Sequence, residues 1–266
     1  MRICIIGLGK MGSALLKGIV QGGISNPADI TACDPLLPEQ ESSAEYYGIR
    51  TSKDSAVGAK NADLIILAVK PQVFGSIAPD LAPAVNNKLI VSVMAGISTA
   101  NLRLHLGDQC RIVRVMPNMP VFINAGVSAV TNGPGVSETE RQLVRNIFST
   151  LGEVVEVDEN LMDSITGLCG SGPAYVYVMI EALADGAVLA GLPRELALKL
   201  AAQTVQGAAR MVLETEKHPA ELKDMVASPA GTTIRGLDVL EEKGFRSALI
   251  KAVQAGAERS RELNQD

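Results

Sequence analysis

Three glycines near the N-terminus have the spacing of a phosphate-binding turn. Gly7, Gly9 and Gly12 lie between an apolar stretch, residues 3–6, and a segment with helical periodicity. Gly7 permits the tight turn, Gly9 lets the backbone approach a pyrophosphate, and Gly12 lets the helix pack against the strand. The helix N-terminus directs free N–H groups at the phosphates. The pattern predicts a dinucleotide bound by Gly7, Leu8, Gly9, Lys10, Met11 and Gly12, and the alternative is a glycine-rich turn that binds nothing.

An acidic residue follows the second predicted strand. Asp34 ends the sequence ITACD, and a carboxylate at this point can accept hydrogen bonds from the adenine ribose and repel a 2′-phosphate. The nearest arginine downstream is Arg50. Asp34 therefore favours NADH over NADPH. The alternative is that it forms a turn before Pro35, which is a common role of aspartate.

Two further loops end predicted strands on the side where such sheets bind ligands. The first, AVKP, comprises Ala68, Val69, Lys70 and Pro71, and Lys70 could lie near the phosphates or the nicotinamide or be a solvated charge. In the second, the small residues Ala95 and Gly96 would let a nicotinamide ring approach the backbone. Asn118, after the next strand, is equally suited to a turn and to a contact in the cleft.

A second motif with chemical potential is SPAGTT, residues 228–233. Ser228, Thr232 and Thr233 offer hydroxyl groups, and a predicted helix follows. The backbone N–H groups of Gly231 and Thr232 would lie at the helix start, where they can hold a carboxylate. The alternative is that one of the two threonines merely caps the helix.

The elements that must position these residues change type part-way along the chain. Predicted strands 2–6, 30–33, 64–69, 89–93, 111–116, 127–131 and 153–157 alternate with helical patterns such as 72–81 and 138–151. Several strands are continuously apolar, which indicates a parallel sheet covered on both faces. The sequence predicts an α/β protein, with an N-terminal Rossmann-type doubly wound sheet in residues 1–157.

The remaining residues, 158–266, have no strand signals and predict four or five helices. Breaks are expected at 170–173, 191–193, 218–219, 228–231 and Gly244. Alanine and glycine are dense on these helices, which lets helices approach closely. We expect an all-helical dimerisation and substrate-binding domain, because mostly apolar helices would expose much surface if left alone. The alternative is a bundle that closes on the sheet domain of its own chain.

Composition limits the classes of partner. The 266 residues are 47% hydrophobic and 20% charged with a net charge of −5, which indicates a globular protein without a nucleic-acid footprint. We expect no metal site, because there are only two histidines, and no membrane segment. The first residues enter a strand directly, so we expect a cytoplasmic protein. Cys4 and Cys33 are expected to be buried, reduced thiols.

From end to end the chain resembles the pyrroline-5-carboxylate reductases. The resemblance rests on GLGKMG, AVKP, VMPNMP, CGSGPAYVY (169–177), residues 218–246 around SPAGTT, and the terminal AVQAGAERSREL. It implies an interlocked homodimer, often assembled into a ring of five dimers, a homodecamer. It also implies hydride transfer from NAD(P)H to a cyclic imine, giving L-proline, at a site that joins one subunit's cofactor cleft to its partner's SPAGTT loop.

The resemblance also implies roles for individual residues. Thr233 would hydrogen-bond the ring nitrogen, and Ser228 would help hold the substrate carboxylate. Glu159 and Glu216 match acidic residues near the substrate, although each could be an exposed charge at a helix end. Many relatives lack an acid at the position of Asp34 and favour NADPH, so both cofactors stay possible.

Three other functions compete with this one. A β-hydroxyacid dehydrogenase would share GLGKMG but needs a lysine in the first long helix of the second half, and residues 170–198 contain none. A dinucleotide sensor without catalysis would have no use for SPAGTT. A related cyclic-imine reductase is also compatible, because one ring methylene is worth only about 1–3 kcal/mol in discrimination.

Overall fold

The computed structural model describes residues 1–36 and 48–263. They divide into two compact units, one comprising Met1–Gly170 with Ala255–Asp266 and the other Ser171–Gln254. We call them unit 1 and unit 2. The predicted boundary at residue 157 differs from this division, because Met162 is fully buried and Glu159 bonds to Thr99 within unit 1. The boundary between functional domains stays a prediction.

Unit 1 contains one sheet, whose strands in the described residues are ordered β3-β2-β1-β4-β5-β6-β7-β8. Their bounds are Ile3–Ile6 (β1), Ile30–Cys33 (β2), Arg50–Ser52 (β3), Leu64–Leu67 (β4), Leu89–Ser92 (β5), Arg111–Pro117 (β6), Gly126–Asn132 (β7) and Gly152–Glu156 (β8). Every neighbouring pair is parallel except β6 and β7. This order, with helices between strands, confirms the predicted doubly wound α/β fold.

Two features of the sheet differ from the prediction. Strand β3 was not predicted, because its three residues, Arg-Thr-Ser, carry no apolar run and pair only with β2. Strand β7 runs antiparallel to β6, because the connection between them is short and holds only the 3₁₀ turn Met119–Ile123. A parallel crossover needs a dozen residues or more.

The described helices of unit 1 cover both faces of the sheet. They are Lys10–Gln21 (α1), Ser55–Lys60 (α2), Pro71–Val85 (α3), Thr99–Leu106 (α4), Glu138–Ser149 (α5) and Met162–Ile165 (α6). Leu15 of α1 and Phe148 of α5 are fully buried in the core on one face, and Leu81 of α3 and Leu102 of α4 are fully buried in the core on the other. The continuously apolar strands predicted from sequence are explained by this double coverage.

Unit 2 is helical, as predicted. Its described helices are Gly172–Leu189 (α7), Arg194–Thr215 (α8), Pro219–Val226 (α9), Thr232–Glu242 (α10) and the first part of Phe245–Leu263 (α11). The helices break at the predicted positions, where glycine and proline interrupt the pattern. The buried apolar cluster of this unit, within the described residues, consists of only three alanines, Ala184, Ala197 and Ala201.

The helical run Glu159–Leu189 has the length and composition of a helix that could cross a membrane. The cause is helix α7, whose only charged residues are Glu181 and Asp185. A core helix of a soluble protein can share these properties, so the expectation of no membrane segment stays a prediction. Only 6% of the run's most apolar stretch is buried within the chain.

The predicted buried thiols are confirmed. Cys4 and Cys33 are free and buried on adjacent strands, with their sulfur atoms 3.6 Å apart. Hydrogen bonding to Cys33 and burial raise the pKa of the Cys4 thiol. Both cysteines belong to the core on the face of the sheet that α3 and α4 cover.

Candidate active site

The glycine turn between β1 and α1 is shaped by close backbone contacts. Gly7 has a φ of +94°, and a Cβ there would lie 2.7 Å from the carbonyl oxygen of Ala68. A Cβ on Gly12 would lie 1.9 Å from the carbonyl oxygen of Gly7. Gly9 differs, because a Cβ there would meet nothing within 4 Å. The first and third glycines are thus required by the fold itself, whereas the second borders open space.

The start of helix α1 is free to bind an anion. Gly9 occupies the N-cap position and provides no side-chain cap, so among the described residues the first amides of the helix, from Lys10 to Gly12, have no capping acceptor. No acidic residue lies in the first turn of α1. Open space at Gly9 beside uncapped amides fits a dinucleotide pyrophosphate.

The loops at the carboxyl ends of β1, β4 and β5 lie side by side. The amide of Ala68 donates to Ile6 (2.8 Å), and the amide of Val93 donates to Leu67 (3.0 Å), so the ladder continues into these loops. Lys70 is exposed at the N-cap of α3, with Pro71 as the first helical residue, and Val69 before it is half-buried. The loops that follow β1, β4 and β5, which hold the predicted cofactor residues, therefore lie at the same end of the sheet.

Asp34 lies beside the glycine turn. One carboxylate oxygen accepts the amide of Leu8 at 2.8 Å, and the other accepts the amide of Leu36 at 2.9 Å. The second bond is the turn that the sequence offered as an alternative role. Two carboxylate oxygens have about four acceptor sites, so both bonds leave capacity for a ribose hydroxyl.

Gly96 is buried against helix α11. Its φ is +71°, and a Cβ there would lie 2.7 Å from the Cβ of Leu263 and 3.2 Å from the carbonyl oxygen of Ser260. The sequence-based explanation, an approach of the nicotinamide ring, did not include this contact. The neighbouring Ala95 is half-buried.

Glu159 is engaged within unit 1, and its expected place near the substrate stays a prediction. Its Oε1 accepts the amide of Thr99 at 2.7 Å, and its Oε2 accepts the hydroxyl of Thr99 at 2.5 Å. Nη1 of Arg114 lies 3.3 Å from Oε1. Asn118 also has a structural bond, because its side-chain oxygen accepts the amide of Val127 at 2.9 Å.

The SPAGTT loop of unit 2 ends in an uncapped helix. Gly231 is the N-cap of α10, so Thr232 and Thr233 are its first two helical residues and neither is the cap. The amide of Gly231 already donates to Ser228 (3.1 Å), which removes it from the predicted carboxylate cradle. The free amides are instead those of Thr232, Thr233 and the next residue.

Two residues of unit 2 other than glycine have a left-handed backbone, a conformation that favours glycine. Ala230, in the SPAGTT loop, has a φ of 55°, and Glu216, which ends α8, also has a φ of 55°. Such conformations in residues other than glycine cost about 1–3 kcal/mol and cluster at functional sites. Both strained residues are in or next to the segments that the sequence assigned to substrate.

Arg114 is a residue of this region that was not predicted from the sequence. Its side chain is only 4% exposed, and it faces Glu159 and Asp163, whose Oδ1 lies 3.8 Å from its Nη2. An arginine in the apolar pattern of β6 was the available signal, because a buried guanidinium requires a carboxylate partner.

Comparisons with known proteins identify the family of the chain. Residues 159–263 match the family model described as pyrroline-5-carboxylate reductase dimerisation, and residues 2–96 match the one described as NADP oxidoreductase coenzyme F420-dependent. A pyrroline-5-carboxylate reductase of Methanosarcina acetivorans is 47% identical over 98% of this chain and 97% of its own length. The chain belongs to the pyrroline-5-carboxylate reductase family.

Relatives from distant organisms support this assignment to the reductase family. The Escherichia coli pyrroline-5-carboxylate reductase is 41% identical over 99% of this chain and 98% of its own. The crystal structure of the Plasmodium falciparum pyrroline carboxylate reductase with NADP bound has a TM-score of 0.91 and 33% identity, and covers 99% of this chain and 98% of that one. The match extends over both units, so the resemblance inferred from sequence is confirmed.

Proposed function

We propose that this chain reduces L-1-pyrroline-5-carboxylate to L-proline with a reduced nicotinamide dinucleotide, the last step of proline biosynthesis. The observation that carries the proposal is the presence of two uncapped helix starts in one chain of this family, one at Gly9 and one at Gly231. The first fits a pyrophosphate and the second fits the carboxylate of a small acid.

The bound nicotinamide supplies the hydride, and the chain supplies position, charge complementarity and dryness. The amides of Lys10, Met11 and Gly12 hold the pyrophosphate.

The amides of Thr232 and Thr233 hold the substrate carboxylate, with help from Ser228. The hydroxyl of Thr233 hydrogen-bonds the ring nitrogen, and Glu216 faces the cationic iminium. None of the described residues that we assign to the substrate is a dedicated general acid, so the imine arrives protonated or takes its proton through Thr233 or water.

The reaction itself is tested with purified protein, racemic pyrroline-5-carboxylate and either NADH or NADPH. We expect loss of reduced-cofactor absorbance and formation of L-proline in equal amounts. A chain that bound the cofactor without turnover would be a sensor. Turnover confined to a ring of another size would indicate a related cyclic-imine reductase. A β-hydroxyacid dehydrogenase is disfavoured, because α7 carries no lysine.

Asp34 supports a preference for NADH. The substitution Asp34→Asn keeps an oxygen that can accept the amide of Leu8 but removes the charge that repels a 2′-phosphate. A charge-assisted hydrogen bond is worth about 1.5–3 kcal/mol, so the ratio of kcat/KM for NADH over NADPH should fall by at least about tenfold. Steady-state kinetics with both cofactors measure this ratio. An unchanged ratio, or a wild-type enzyme that already prefers NADPH, would remove Asp34 from cofactor selection.

Unit 2 supports a homodimer. Besides its small core of alanines, it exposes large apolar side chains, including Val178 (65%), Leu189 (91%) and Leu213 (78%). Surfaces of this kind mark association sites. We place the apolar run Glu159–Leu189 in this interface rather than in a membrane, in a cytoplasmic enzyme whose dimers assemble five to a ring. The site of each subunit would be completed by the partner's SPAGTT loop.

The proposed interface is tested by placing a charged side chain in it. We expect Val178→Lys to dissociate or unfold the dimer, because burying an unpaired ammonium costs several kcal/mol. Leu104→Lys is the matched control, since Leu104 is 82% exposed on α4 of unit 1. Light scattering coupled to size exclusion gives the masses. A Val178→Lys protein that keeps the wild-type mass and Tm would place the interface elsewhere.

A further inference from the structure

Arg114 is a buried cation that joins two carboxylates. It lies on β6 with 4% of its side chain exposed, and it faces Glu159 (3.3 Å) and Asp163 (3.8 Å). Both acids come from the segment that follows β8. Because an unpaired buried guanidinium is strongly unfavourable, the positions of the three side chains depend on one another.

The first carboxylate fixes the end of the loop that follows β5. Glu159 accepts both the amide and the hydroxyl of Thr99, at 2.7 and 2.5 Å. Thr99 is the first residue of α4 and is 7% exposed. The loop 93–98 therefore ends at a residue that is bound to Glu159 by two hydrogen bonds.

The second carboxylate, that of Asp163, is connected through α11 to the middle of the same loop. Asp163 accepts the hydroxyl of Ser260 at 2.7 Å, and Ser260 is 1% exposed on α11. At this point of α11, Ser260 and Leu263 pack so closely against Gly96 that a Cβ there would have no room. The backbone of Gly96 is also left-handed. Both connections, through Thr99 and through Gly96, lead back to Arg114.

The loop that is held in this way follows β5 at the edge of the sheet where the glycine turn and AVKP lie. Its first amide, that of Val93, donates to Leu67 at 3.0 Å. We propose that Arg114, through Glu159 and Asp163, holds residues 95–99 in the conformation that receives the nicotinamide ring. Arg114 and Glu159 are then positioning residues, and Glu159 does not touch the substrate. The inference rests on the proposed cofactor cleft.

The test compares two ion pairs of the same strand. Glu159→Gln keeps oxygen and nitrogen atoms near Thr99 but removes the charge that pairs with Arg114. Glu140→Gln is the matched control, because Glu140 of α5 pairs with Arg111 of β6 at 2.6 Å and accepts hydrogen bonds from Ser137 at the start of α5. Ser260→Ala breaks the second connection alone and deletes only one oxygen atom.

The measurements are the Kd for NADH, from its fluorescence in the absence of substrate, and KM and kcat for both reactants. The chain has no tryptophan to interfere with nicotinamide emission. We expect Glu159→Gln to raise the Kd and the KM for NADH about tenfold while the KM for the imine changes less than about twofold. Ser260→Ala should change the same constants in the same direction. Glu140→Gln should leave the Kd at its wild-type value even where it lowers Tm.

Two results would overturn the inference. A raised KM for the imine with an unchanged Kd for NADH would make Glu159 a substrate ligand. Equal Kd values for Glu159→Gln and Glu140→Gln would make the Arg114 network purely structural. Failure of the wild-type enzyme to reduce the imine would instead overturn the proposed function, so the two failures are distinguishable.

Discussion

Replacing Thr233 with alanine should lower kcat by about a hundredfold, because it removes the hydroxyl that we propose bonds to the ring nitrogen, where charge changes in the transition state. The fold should not suffer. Gly231 is the N-cap of α10, so Thr233 lies inside the helix, where alanine is the better helix former. We therefore expect a Tm equal to or above that of the wild type, together with a large loss of turnover.

Two variants make the Thr233 experiment specific. Thr232→Ala changes the neighbouring, exposed residue of the same helix turn and should keep most of the activity. Thr233→Ser retains a hydroxyl and should recover much of the lost rate. Near-full turnover of Thr233→Ala at saturating imine would show that the hydroxyl has no role in the reaction.

Gly9→Ala should weaken NADH binding by on the order of a hundredfold, since a methyl group would occupy the space that we propose for the pyrophosphate. The free protein can accommodate this change. A Cβ at Gly9 meets nothing within 4 Å, and its φ of −63° is open to any residue. Loss of binding with an unchanged Tm would then report on the cofactor alone. Fluorescence titration and thermal unfolding measure the two quantities.

Two other glycines provide controls for the Gly9 variant. Gly75 of α3 is exposed and equally open, so Gly75→Ala should bind NADH as the wild type does. Gly12→Ala should lower both Tm and binding, because its Cβ would lie 1.9 Å from the carbonyl oxygen of Gly7. A Gly9→Ala protein with wild-type affinity would mean that the pyrophosphate does not approach this turn.

Predictions from the sequence were most accurate for structure that depends on residues close to one another along the chain. Continuous apolar runs predicted the strands that are covered on both faces, such as β4 and β5. Glycine and proline marked every break between the helices of unit 2. Strand β3 lacks such a signal, because its polar residues belong to the sheet only through pairing with β2. The direction of β7 depends on the short connection before it.

For the candidate site, the local motifs were predictable and the long-range contacts were not. The glycine turn and the SPAGTT loop are each contiguous in sequence. The bond from Glu159 to Thr99 spans 60 residues, and the contact of Gly96 with Leu263 depends on where α11 packs. No periodicity encodes such pairings. For this reason the sequence alone indicated neither the bond of Glu159 to Thr99 nor the place of Arg114.

The most direct test of an active site shared between two chains is complementation of two inactive variants. Gly9→Ala lacks the cofactor cradle and Thr233→Ala lacks the substrate hydroxyl. The two are co-expressed with different tags, and the mixed dimers are purified by both tags. If one chain's glycine turn works with its partner's SPAGTT loop, one of the two sites in each mixed dimer is intact, and NADH-dependent formation of L-proline returns. Mixed dimers no more active than either parent would contradict a shared site, because each chain would then carry its own defect.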